Sequence, residues 1–167
     1  DTGLTAYCVV TVTQPVTGIT LNSDYQELWV GAKYAIIPNI EPYDAENKNV
    51  TYRSSDPDVA TVDEMGVVTA VKGGSCVIIV TTEECQLTAA CTIDVKEYVS
   101  SITLSETHKF MNVGTSGTLT ATVGSDTATN KNIIWTSSDN SICSVDSYGT
   151  LNAGEPGIAV ITVTAAD

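Results

Sequence analysis

Three kinds of side chain stand in this sequence at spacings that suggest chemistry: clustered aspartates, a lone histidine and an uneven set of aromatics. Asp56, Asp58 and Asp63 form one acidic cluster, and Asp139 with Asp146 forms another. Carboxylates so spaced can ligate a hard cation such as calcium. They also satisfy backbone N–H groups in tight turns, and that turn reading is the simpler one here. His108, in Glu106-Thr107-His108-Lys109, has no nucleophile beside it and reads as an exposed loop or edge residue rather than part of a triad. No catalytic residue, metal or cofactor is therefore expected. Trp29, Tyr34 and Tyr43 lack aromatic counterparts elsewhere in the chain. They are candidates for stacking a sugar or meeting a host protein, with local core and loop packing as the plainer alternative.

Five cysteines add a second chemistry. Cys8 and Cys91 lie 83 residues apart, whereas Cys76, Cys85 and Cys143 have no partner at that spacing. If Val80 to Gln86 is a hairpin tip centred between Glu83 and Glu84, Cys76 stands across the strands from Cys91, close enough to bridge. Cys143 shares an inward-facing pattern with Val145 and is the candidate partner for the Cys8-type cysteine of a following segment. The alternative is that these residues are buried small hydrophobes. Zinc is a poor reading, because no Cys-x-x-Cys pair exists and His108 is the single histidine.

The elements that must position these groups recur at the same spacing of 83. Val16-Thr17-Gly18-Ile19-Thr20-Leu21 returns as Val99-Ser100-Ser101-Ile102-Thr103-Leu104. Tyr52-Arg53-Ser54-Ser55-Asp56 returns as Trp135-Thr136-Ser137-Ser138-Asp139, and Val62-Asp63 with Gly66 returns as Val145-Asp146 with Gly149. So long a period is that of a whole small domain. Asp1 to Val12 matches not the start of a copy but Glu84 to Val95, the close of the first. The organisation expected is residues 1–14 as the orphan last strand of a preceding or neighbouring copy, 15–97 as a first domain, and 98–167 as a second domain lacking its last strand.

Thr, Val and Ile alternate in stretches such as Thr118 to Val123 and Val160 to Thr164, which is strand writing. No amphipathic helix of three turns appears, so an all-β chain of tandem β-sandwiches is expected. Pro38 marks an edge or bulge. Tyr52 and Trp135 each read as the large aromatic that fills a sandwich core. Val95 to Val99 holds no Gly, Ser or Pro run, which predicts a semi-rigid joint. Twenty acidic against seven basic residues give a net charge of −13, which argues against nucleic-acid partners and for an acidic, solvated extracellular surface. The longest apolar run, Cys76 to Val80, is far short of a membrane span. The sequon Asn49-Val50-Thr51 is a weak pattern.

The pattern Val-x-x-Ile-x-Leu, then Tyr/Trp-x-Ser-Ser-Asp, then Val-Asp-x-x-Gly, and a closing Cys-x-x-x-Val resembles bacterial immunoglobulin-like domains of group 2. The resemblance covers both copies. It implies an Ig-like sandwich of the kind found in surface adhesins, in phage virion proteins and beside secreted enzymes, with no catalytic motif to carry over. Cys143 departs from it, standing where the pattern has Ala.

The expected function is a non-enzymatic extracellular stalk or filament for surface display or adhesion. The alternatives are a carbohydrate- or host-protein-binding module and a phage virion fibre or decoration domain. Partners would be neighbouring copies or flanking repeats. If one chain's first strand completes the second domain of its neighbour, copies join head to tail, with Cys8 facing Cys143. The competing expectation is one longer continuous polypeptide.

Overall fold

The computed structural model describes residues 3–166; Asp1, Thr2 and Asp167, which fall in the expected first strand and at the end of the second domain, lie outside them. The described residues contain strands, turns and bends but no helix. The chain divides into two compact units, Asp1–Val95 and Lys96–Asp167.

Unit 1 contains β1 (Gly18–Leu21), β2 (Tyr25–Trp29), β3 (Lys33–Ala35), β4 (Pro38–Glu41), β5 (Val50–Ser54), β6 (Ala60–Val62), β7 (Val67–Ala70), β8 (Gly74–Thr82) and β9 (Thr88–Lys96). One sheet runs β2-β9-β8-β5 and faces a second, β3-β7-β6, while β1 pairs with β4. Leu28, Ile78, Val80, Cys91 and Ile93 of the first sheet meet Ala60, Val68 and Ala70 of the second in one buried cluster, so the unit is a sandwich. Period-two alternation produces this. In β8, Cys76, Ile78, Val80 and Thr82 are buried while the residues between them are only half-buried. The stretch from Tyr34 to Ile40 does not form one strand. The chain leaves the β3-β7 ladder after Ala35 and pairs with β1 from Pro38, so it crosses from one sheet to another at Ile36 and Ile37.

Unit 2 contains β10 (Ile102–Leu104), β11 (Ser116–Thr118), β12 (Ala121–Val123), β13 (Ile133–Ser137), β14 (Cys143–Val145), β15 (Thr150–Ala153) and β16 (Ile161–Ala165). Its ladders repeat those of unit 1 in register. Lys33 faces Thr69 as Ser116 faces Asn152, and Val50 faces Thr82 as Ile133 faces Ala165. All of these pairings are antiparallel.

The turn between β6 and β7 explains one glycine in each copy. Gly66 and Gly149 have φ of 79° and 77°. A Cβ on Gly66 would sit 2.6 Å from the Ile36 carbonyl oxygen and 2.8 Å from Tyr52 Cζ. One on Gly149 would sit 2.3 Å from the Leu119 oxygen and 3.0 Å from Trp135 Cζ2. Tyr52 and Trp135 are both only partly buried: Tyr52 packs against the buried cluster of unit 1, and both rings cover this turn. Leu, Ile, Val and Ala side chains with Cys76 and Cys91 fill the middle.

Candidate functional site

The aspartates are engaged in turns. Asp63 Oδ1 accepts the amides of Met65 and Val67, both at 2.9 Å. Asp146 Oδ1 accepts those of Tyr148 and Thr150, both at 2.8 Å. Asp56 Oδ1 accepts the Asp58 amide, and Asp139 Oδ1 accepts both the amide and the hydroxyl of Ser141. These bonds favour the charged form. The Ser141 hydroxyl, aided by backbone amides, holds Asp139 below the usual carboxylate value, and the Thr150 amide does the same for Asp146. Among the described residues no three His, Cys, Asp or Glu side chains gather to hold a metal. His108 is exposed, with its Nδ1 3.4 Å from the Thr107 hydroxyl.

The register corrects the expected cysteine geometry. The β8-β9 hairpin turns one residue later than the midpoint of Glu83 and Glu84, so Cys76 stands opposite Ile93 and Cys91 opposite Ile78. The two thiols share the buried face as diagonal neighbours. Such positions are typically about 7–8 Å apart, at or beyond the reach of a disulfide. Both are free, and burial pushes both upward in pKa, which makes them poor nucleophiles. Cys85 is free and exposed in the hairpin loop, and Cys8 is free and exposed in the first segment. Cys143 is free and half-buried on β14, opposite Ala153.

The three candidate aromatics of unit 1, Trp29, Tyr34 and Tyr43, are dispersed. Trp29 ends β2, next to the inward Leu28, and is 41% exposed on the outer side of that sheet. Tyr34 lies on β3 in the opposite sheet, packed against the core, with its hydroxyl accepting from Asn22 Nδ2 at 3.0 Å. Tyr43 stands exposed in the loop after β4. Trp29 and Tyr34 do not share a face.

What the structure does bring together is an open edge in unit 2. In unit 1, β9 fills the space between β2 and β8. In unit 2 no described strand lies beside β16 on the side away from β13. The β2 counterpart, residues 108–112, is not a strand, and Phe110 within it is 99% exposed. Between that stretch and residues 155–161 lies an open groove of about 510 Å³, floored by Leu119, Ile142, Cys143 and Leu151. The core is correspondingly thin. Leu119 and Leu151 are its buried hydrophobic residues among those described, and Ile161 and Val163 are only half-buried where their equivalents Ile78 and Val80 are fully buried. Sequence reasoning did not single out residues 108–112 as part of the groove wall. The signal was present, since they stand 83 residues after β2.

Residues 3–13 belong to no sheet, and Leu4, Tyr7, Cys8, Val9, Val10 and Val12 are exposed. Unit 1 offers them no place, because β9 already occupies the equivalent position. The first anchor is the Gln14 carbonyl, which accepts the Glu46 amide, followed by Val16 buried against Ile40 and Ala45.

Comparison with known proteins bears on both units. The profile of the bacterial Ig-like domain (group 2) matches residues 15–93 and 98–167. An uncharacterised protein of Clostridium acetobutylicum is 35% identical over 152 residues, covering 90% of this chain and 16% of the relative. An Ig-like virion protein of Serratia phage KSP90 is 31% identical over 161 residues, covering 92% of this chain and 61% of the relative. The chain thus spans less than two thirds of either relative. Among solved structures, the protocadherin gammaB4 extracellular domain aligns with 94% of this chain and 32% of its own length, at a TM-score of 0.51 and 10% identity. That likeness is one of fold.

Proposed function

Since the chain belongs to the bacterial Ig-like domain (group 2) family, we propose that it is a non-enzymatic structural segment. In this reading it contributes tandem sandwiches to a stalk or filament displayed outside the cell or on a virion. The observation that carries the reading is that its reactive groups are committed to architecture. The aspartates hold turn amides, and the buried thiols of Cys76 and Cys91 are raised in pKa. An acidic shell of net charge −13 supports it, because such a surface stays soluble and repels anionic membranes. The virion protein of the Serratia phage supports a particle-borne variant of the same role.

Neighbouring copies or flanking repeats of the same fold are the partners this reading calls for. Adhesion would be a property of whatever the stalk presents. The test is immunogold labelling of intact source cells and released particles with antibody to this chain. Label along surface appendages or particle fibres is the expected result, and label confined to the cytosol overturns the reading.

A further inference from the structure

We propose that Glu97 is a latch: hydroxyl groups of unit 2 clamp its carboxylate, fasten the chain that leaves β9, and so set the stiffness of the joint between the units. The proposal goes beyond the structural role above, because it names the residue on which the stiffness of such a segment depends.

At least four hydrogen bonds converge on this residue. The Ser125 hydroxyl donates to Glu97 Oε1 at 2.7 Å and the Thr127 hydroxyl donates to Oε2 at 2.6 Å, so each carboxylate oxygen has its own donor. The main chain is held as well. The Thr129 amide donates to the Glu97 carbonyl at 2.9 Å, and the Glu97 amide donates to the Thr129 hydroxyl at 3.0 Å. Bonds to a charged acceptor are stronger than those between neutral groups, and the two carboxylate bonds are part-buried, where water competes less.

The receiving loop, between β12 and β13, is shaped around this contact. Ser125 has a φ of 72°, in the left-handed region that a residue with a Cβ seldom enters. Such a conformation persists where its surroundings enforce it, and the bond to Glu97 is what the Ser125 side chain gains there.

The other copy shows that the sandwich itself does not require the clamp. At the spacing of 83, Glu97, Ser125, Thr127 and Thr129 correspond to Gln14, Pro42, Asp44 and Glu46. One main-chain bond is common to both copies, with the Glu46 amide donating to the Gln14 carbonyl at 3.2 Å. The side-chain set is not common. Three hydroxyl donors give way to a proline and two carboxylates, and the charged acceptor gives way to a neutral amide. A glutamate at position 14 would stand near the like charges of Asp44 and Glu46 rather than among donors. Acceptor and donors have changed together, as a specific contact requires and loop packing alone does not.

The place of Glu97 on the chain makes this contact a matter of the joint. Val95 is 2% exposed in the core of unit 1, and Lys96 ends β9. Two residues of chain span at most about 7 Å. With Glu97 fastened, Lys96 alone stands between a core residue of unit 1 and a clamped residue of unit 2, and only the few dihedrals around it remain free to turn.

The experiment measures backbone amide relaxation by NMR on the isotope-labelled full chain. In the unmodified chain, residues 97–99 should show order parameters of about 0.85, like the strands, and both units should share one tumbling time. In Glu97→Ala those order parameters should fall below about 0.6, and the units should tumble with separate, shorter times. Thr127→Val, which removes one donor while keeping the side chain's shape, should shift both readings in the same direction by less, and it decides the matter if Glu97→Ala does not fold. Gln14→Ala should leave residues 97–99 unchanged. A residue that merely stabilised unit 2 would lower its urea midpoint and leave the order parameters alone. An unmodified chain whose residues 97–99 are already loose overturns the proposal, as does a folded Glu97→Ala chain in which they stay ordered. Such failure leaves the surface role intact, because immunogold labelling reads location and relaxation reads motion.

Discussion

Asp146 Oδ1 accepts two amide hydrogens across the turn that carries Gly149, and those bonds exist in full strength only while the carboxylate is charged. Its folded pKa is lowered, with the Thr150 amide as the leading cause. The sign follows by linkage. A carboxylate that is more acidic folded than unfolded stabilises the fold above its unfolded pKa, and the contribution disappears as pH falls through the folded value. Asp146→Asn keeps an acceptor oxygen but cannot ionise. The melting temperature of the unmodified chain should exceed that of Asp146→Asn at neutral pH, and the gap should close as pH falls through and below the usual carboxylate range. A gap that does not change with pH would show that charge plays no part in this turn. Because Asp63 holds the matching turn of unit 1 through the same two contacts, Asp63→Asn is the internal comparison.

At the scale of the element, Ile78 and Ile161 offer a controlled pair: one residue type at one ladder position, facing Ser54 and Ser137 respectively. Ile78 is fully buried, with β9 paired beside it in the same sheet, whereas Ile161 lines the open groove. Ile78→Ala should destabilise unit 1 by about 2–5 kcal/mol, the usual cost of an aliphatic truncation in a packed core. Ile161→Ala should cost unit 2 roughly 1–2 kcal/mol, because its methyl groups already touch solvent on one side. Each unit carries one tryptophan, Trp29 or Trp135, so urea unfolding followed by fluorescence in Trp135→Phe or Trp29→Phe backgrounds reads the units separately. Equal costs would mean that unit 2 is as closed as unit 1.

The same elements show what sequence could and could not deliver. Alternation and the repeat at 83 were enough to place most strands of unit 1 and the Asp-containing turns, because those features depend on residues close together in the chain. Register in the β8-β9 hairpin was not legible. The loop of Glu83 to Gln86 turns through Gln86 at φ 54°, where no glycine announces the position, and a shift of one residue in the turn moves the cysteines apart. The faces of Trp29 and Tyr34 were hidden for a different reason. They depend on which sheet β2 and β3 join, and alternation reports the spacing of side chains within a strand but not the sheet it enters. Residues 108–112 line the groove without pairing with any described strand, so local propensity could not decide their form.

For the whole molecule, charge decides how copies meet. Each chain carries −13, from twenty acidic and seven basic residues, none of them within residues 3–13. Two copies therefore repel at long range, and any association between them must work against that repulsion. The range of that repulsion is the Debye length, about 30 Å at 0.01 M salt and about 8 Å at 0.15 M. Assembly should accordingly accelerate as salt is added, by on the order of tenfold over that interval, since unfavourable steering slows encounter as favourable steering speeds it. The growth rate of light scattering at fixed protein concentration measures this directly. A joint held by opposite charges would respond in the reverse sense, slowing as salt screens the attraction. A rate that falls with salt would therefore show that copies meet through opposite charges on the sandwiches.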